Sequence, residues 1–158
     1  MDWFFYSNPM MCPGIAVRRS FYETHGGFLP GLVYTLDCEM WARAISHDGG
    51  AATSKVLSYF RLSKGSETGK LARTAEDLRD IERCNQLFDS RYSGFDRHAA
   101  KERLLYMAMD HAQRFSKLGD REAEAVNLDY WKKMHPCYVA GDGRLEILNA
   151  ASCKKSAA

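Results

Sequence analysis

The sequence predicts an α+β chain, and three observations carry that prediction. Short aromatic and β-branched runs at residues 3–6, 13–17 and 55–62 are bounded by Gly, Pro, Ser and Asn, the pattern of strands ended by turns. Beyond residue 70 the pattern changes, and apolar residues recur every three or four positions, the period of an amphipathic helix. Hydrophobic residues make up 46% of 158, enough for a buried core rather than a disordered chain. The predicted organisation is a mixed strand and helix segment over 1–69 and a helical C-terminal extension over 70–158.

In order, Trp3 to Tyr6 reads as a buried extended segment stopped by Asn8-Pro9, and Pro13 to Val17 as a second strand. Ser20 and Glu23 have the spacing of a capping box, and Gly26-Gly27 closes that short helix. Met40, Trp41, Ala44 and Ile45 make residues 37–47 an amphipathic helix ended by Gly49-Gly50, and 63–69 a polar loop. Ala75, Leu78, Ile81, Cys84 and Leu87 mark a helix over 74–88. Leu104, Leu105, Ala108, Met109, Ala112 and Phe115 mark a longer one over 96–118. A third helix, 120–135, stops at Pro136, and its short connection predicts an antiparallel helical hairpin. Leu145 to Leu148 reads as a short strand, and the tail beyond it as frayed.

Net charge is +2 with dispersed basic residues, which disfavours nucleic acid as a partner. Five widely spaced cysteines without a CxxC pair argue against a structural zinc site and a disulfide framework, and for a reducing, cytoplasmic compartment. No run approaches the ~20 apolar residues of a membrane span. None of the five histidines forms HxxxH or HExxH, so no metal ligand is assigned. His98 and His111 share a helix and are expected at the surface. No GxSxG elbow and no phosphate loop is present.

Candidate chemistry centres on residues 34–43. Asp37 stands where an extended stretch turns into a helix, and Trp41 follows four residues later on the same face. The plain reading of such an Asp is an N-cap. The functional reading is a carboxylate beside an aromatic plate, fit to hold a sugar and take a proton from its hydroxyl. Both readings are compatible, since one oxygen can cap while the other faces a ligand. Glu39, on another face, is expected to be a solvated acid, and Trp41 serves equally as cleft wall or core.

Residues 12–68 carry four pieces in order. They are Pro13-Gly-Ile-Ala-Val-Arg-Arg-Ser-Phe-Tyr-Glu23, Gly26-Gly-Phe-Leu-Pro30, Leu36-Asp-Cys-Glu-Met-Trp-Ala-Arg43, and Leu57-Ser-Tyr-Phe-Arg-Leu-Ser-Lys-Gly-Ser-Glu-Thr68. This set resembles the acceptor-side half of family 2 inverting glycosyltransferases. The resemblance implies a partial GT-A fold, Rossmann-like, over 1–69. It places the family's general base on Asp37, an acceptor wall on Trp41, a donor-side turn on Gly26 and Gly27, and a diphosphate contact on Arg61. It also implies a nucleotide-sugar donor, a carbohydrate or lipid-linked acceptor, and a divalent metal, Mg or Mn, for the complete enzyme. That enzyme would be cytoplasmic, or peripheral at the inner membrane face. The family's Asp-x-Asp metal site is not in this sequence, and Ser63 stands where many members have a histidine. The isolated chain is therefore expected to be inactive. The alternative is a non-enzymatic helical interaction module in which 70–150 is the working part.

Overall fold

The computed structural model describes residues 10–61 and 66–135, and over these the chain is helical, with no strand. This overturns the predicted α+β class and its partial GT-A half. A strand holds only when its N–H and C=O groups find a neighbouring ladder, and among the described residues neither β-like run finds one. Residues 13–17 begin in a 3-10 turn, Cys12–Gly14, and continue extended. Residues 55–61 stay unpaired, with Val56, Leu57 and Tyr59 respectively 77%, 76% and 90% exposed. The other predicted strands, 3–6 and 145–148, lie outside the described residues, as does Leu62 at the end of the third.

Six helices follow. α1 (Arg19–His25) starts with Arg18 at its N-cap, so the predicted capping box does not form, and Glu23 instead pairs with Arg19 at 2.8 Å. It ends at Gly26, whose φ of +79° is a conformation glycine adopts without strain. α2 (Leu36–Asp48) buries Met40, Trp41 and Ala42. α3 (Glu67–Arg73) occupies the end of the predicted polar loop, because the Ser66 hydroxyl accepts the Gly69 N–H and caps a helix there. α4 (Glu76–Arg91) is entered through Ala75, which is fully buried at a φ of +54°. α5 (Arg97–Lys117) is capped by Asp96, which accepts from the N–H groups of His98 at 2.9 Å and Ala99 at 3.0 Å. α6 (Arg121–Met134) is capped by Asp120, which accepts from Ala123 at 3.3 Å. α5 and α6 pack as the expected hairpin across Leu118–Asp120, and Gly119 makes the reversal at a φ of +74°.

Two apolar clusters hold these helices. The first joins Phe21 of α1, Leu32, Met40 and Trp41 of α2, and Cys84 and Phe88 of α4. The second joins Ala75, Leu78 of α4, Leu104 and Ala108 of α5, and Tyr130 and Trp131 of α6. α4 therefore gives its C-terminal half to one cluster and its N-terminal half to the other. Buried Asn127 of α6 donates to the carbonyls of Ala72 and Ala123, both at 2.9 Å, and so closes the C-terminal end of α3.

A polar tie crosses between α4 and the approach to α2. The fully buried Asp80 carboxylate accepts the backbone N–H groups of Val33, Tyr34 and Thr35 at 3.2, 3.0 and 2.7 Å. It also accepts the Thr35 hydroxyl at 2.7 Å and an Arg83 N–H at 2.9 Å. Burial alone would raise this carboxyl, but the bonds from Thr35, Arg83 and Tyr34 outweigh it and hold it below the ordinary range. Asp80→Ala strands these donors, and a loss of about 3 kcal/mol is expected in urea unfolding. A depressed folded-state pKa gives stability that is present above the ordinary carboxylate value and lost as pH falls through the lower folded value. Wild-type stability should thus fall steeply below about pH 4, and Asp80→Asn should flatten that limb.

Candidate acidic site at the start of α2

Asp37 is the second residue of α2, and Thr35, not Asp37, holds the N-cap position. The Thr35 hydroxyl is turned to Asp80, which leaves the first turn of α2 to Asp37. One Asp37 oxygen accepts the Cys38 N–H at 2.6 Å, and no other described residue bonds to the carboxylate. The side chain is half-buried because Trp41, one turn on and on the same face, is drawn into the core at 3% exposure. Burial raises the Asp37 carboxyl above its ordinary value, and the backbone N–H groups of Cys38 and of Asp37 itself only partly offset it.

Its surroundings respond to that charge. Burial raises Tyr34, and the charges of Asp77 and then Asp37 add to the effect, while Arg103 works against it. Burial and the neighbouring Asp37 and Glu39 carboxylates push the Cys38 thiol up to about 12. An inert thiol and a neutral phenol therefore flank the carboxyl near neutral pH. Asp37 and Asp80 are pushed in opposite directions: burial prevails at Asp37, and hydrogen bonds prevail over burial at Asp80.

The other predicted site residues are dispersed. Trp41 packs with Phe21, Leu32 and Phe88, and is a core residue rather than an exposed wall. Gly26 and Gly27 are exposed at the end of α1. Arg61 is exposed at the end of the extended run, and no described hydrogen bond joins it to the Asp37 neighbourhood. Two open depressions among the described residues lie elsewhere. One of about 310 Å³ is lined by Leu105, Tyr106, Met109 and Trp131, and one of about 220 Å³ lies between α4 and α5. Among the described residues no group of three or more His, Cys, Asp or Glu side chains is placed to hold a metal ion.

Two expectations about charged residues are corrected here. Glu39 is fully buried, not solvated. Arg43 grips both its oxygens, at 3.0 and 3.2 Å, and Arg91 of α4 adds a bond of 2.5 Å. The same guanidinium donates to the carbonyls of His25 at 2.7 Å, Gly26 at 3.2 Å and Gly27 at 2.7 Å, so Arg43 caps α1 and fixes the Gly-Gly turn. His98 is 83% exposed as expected, but the side chain of His111 is only 12% exposed and faces Asp77. Helix spacing puts both acids and both histidines on α-helical surface positions, and only the packing of a distant helix decides which become interior.

Removing one member of a buried pair leaves an uncompensated charge. Arg43→Ala is expected to cost about 3–5 kcal/mol, while Glu39→Gln combined with Arg43→Met should cost less than the two single changes added, a coupling read by a double-mutant cycle on unfolding free energies. No family model, no curated protein and no solved structure matches this chain.

Proposed function

We propose that this chain supplies the acceptor side of an inverting, nucleotide-sugar-dependent glycosyltransferase, with Asp37 as the general base. The observation that supports the reading is the state of Asp37: a half-buried carboxyl at a helix start, raised by desolvation, with one oxygen unbonded among the described residues. The ordered motifs of residues 12–68 supply the chemical class. In the proposed step the open oxygen of Asp37 takes the proton of an acceptor hydroxyl on a carbohydrate or lipid-linked acceptor. The alcohol oxygen attacks the anomeric carbon as the nucleoside diphosphate leaves from the opposite face, and the configuration inverts. The α2 dipole and the first-turn N–H groups favour the ionised base.

Other residues take supporting roles in this proposal. Gly26 and Gly27, held by Arg43, give a turn without side chains beside the donor sugar, and Arg61 meets the donor diphosphate. Trp41 fixes the rotation of α2 from the core side. The divalent ion implied by the resemblance would offset the diphosphate charge. The described residues do not fit such an ion, so no step is assigned to it. The proposed place of action is the cytoplasm or the inner membrane face; among the described residues no helix is long and apolar enough to cross a membrane.

A second reading, a non-enzymatic helical interaction module, is favoured by one feature, the open apolar depression on α5 and α6 beside Tyr106, which is 73% exposed. Sugar transfer by the full gene product separates the two. Asp37→Asn should lower the rate by about 10²- to 10⁴-fold with unfolding unchanged, and full activity in that variant would remove the base assignment. A base works only when ionised, so the rate should fall as pH drops through the raised pKa. The acid limb of the profile should lie above the ordinary carboxylate value of 3.8.

A further inference from the structure

Asp77 is 1% exposed at the second position of α4. The chain delivers it there through Ala75, the single non-glycine residue with a positive φ among those described, a conformation that L residues adopt at a cost. One Asp77 oxygen accepts the Leu78 N–H at 2.8 Å. The other lies 3.6 Å from Nδ1 of His111, on α5. That separation is beyond a formed hydrogen bond, and Nδ1 is covered from solvent with no hydrogen-bond partner. Nε2 is not among the covered, unpartnered atoms, so the 12% exposure of the side chain lies on the rest of the ring. A carboxylate facing Nδ1 favours a proton on that nitrogen and leaves the lone pair on Nε2, the arrangement of an Asp–His base. In resting structures such contacts are often long and tighten when a ligand is bound. Burial pushes the Asp77 carboxyl up, and His111 works against it.

We propose that Asp77 and His111 form an acid–base dyad at the seam of α4 and α5, with Nε2 of His111 as its proton-accepting atom. Tyr34 feels the charges of both Asp77 and Asp37. The proposal does not depend on the role of Asp37, and its test does not read sugar transfer.

The test uses the chain as it stands. Long-range ¹⁵N–¹H NMR should show neutral His111 protonated on Nδ1 and bare on Nε2. Diethyl pyrocarbonate then probes reactivity: Nε2 attacks a carbonyl carbon, ethyl carbonate leaves and decays to carbon dioxide and ethanol, and the ring proton passes to solvent. Peptide mass spectrometry should find His111 modified at least as fast as His98, despite its lower exposure, and about tenfold more slowly in Asp77→Asn. A proton on Nε2 in the wild type, a His111 protected relative to His98, or an unchanged rate in Asp77→Asn would each overturn the proposal. If Asp77→Asn does not fold, the wild-type tautomer and the His111-to-His98 rate ratio decide it.

Discussion

The buried carboxylate of Asp80 holds the N-terminal segment to the helical remainder, and the geometry of the acidic site follows from it. Consecutive N–H groups of residues 33–35 converge on it as they would on a bound anion. Here the anion is a side chain of α4, so the entry into α2 is fixed to α4 rather than to solvent. Because α4 contributes to both apolar clusters, this contact sets the place of α2 relative to the whole described fold. Arg83 bonds the same oxygen as Val33 and supplies the opposite charge, which lets so many donors meet one buried carboxylate without leaving it uncompensated.

Four acids near this junction divide by how well they are bonded. Asp80 and Glu39 are saturated, the first by backbone donors and the second by Arg43 and Arg91. Such groups stabilise and position. Asp37 and Asp77 each accept one N–H within their own first turn and are otherwise pushed toward neutrality by burial. Environments that separate the pKa values of like groups mark the ones available for proton transfer. The division separates scaffold from candidate chemistry without reference to any relative.

Legibility in the sequence follows range. α4, α5 and α6 were readable because each carries its own apolar period, and Asp96 and Asp120 cap where an Asp before an apolar run is expected to cap. The strands were misread because β-like composition describes what a segment can pair with, while the pairing itself is nonlocal; residues 55–61 retain the composition and lack the ladder. Asp37 and Trp41 were correctly placed on one helix face, but that face turns into the core, so the tryptophan became packing. Glu39 and His111 carry no local signal of burial, since nothing nearby in the sequence tells a solvated helical acid from one that meets an arginine fifty-two positions away. Asp80, whose backbone partners lie forty-five to forty-seven positions away, is hidden for the same reason.

The core position of Trp41 has a consequence for Asp37. Successive residues turn about 100° around a helix axis, so the azimuth of Asp37 is fixed by whatever locks the residue one turn later. Trp41 is that lock. It is packed among Phe21, Leu32 and Phe88 from three parts of the chain, and Arg43, two residues on, is clamped to the end of α1 and to Glu39, which Arg91 also holds. A close-packed interior does not rotate gradually, so α2 cannot turn to bury Asp37 fully or to release it into water. The half-buried state that raises its carboxyl is thus imposed by hydrophobic packing on one side and a buried ion pair on the other. A core tryptophan thus acts as the support that keeps a neighbouring carboxyl in the setting that raises it.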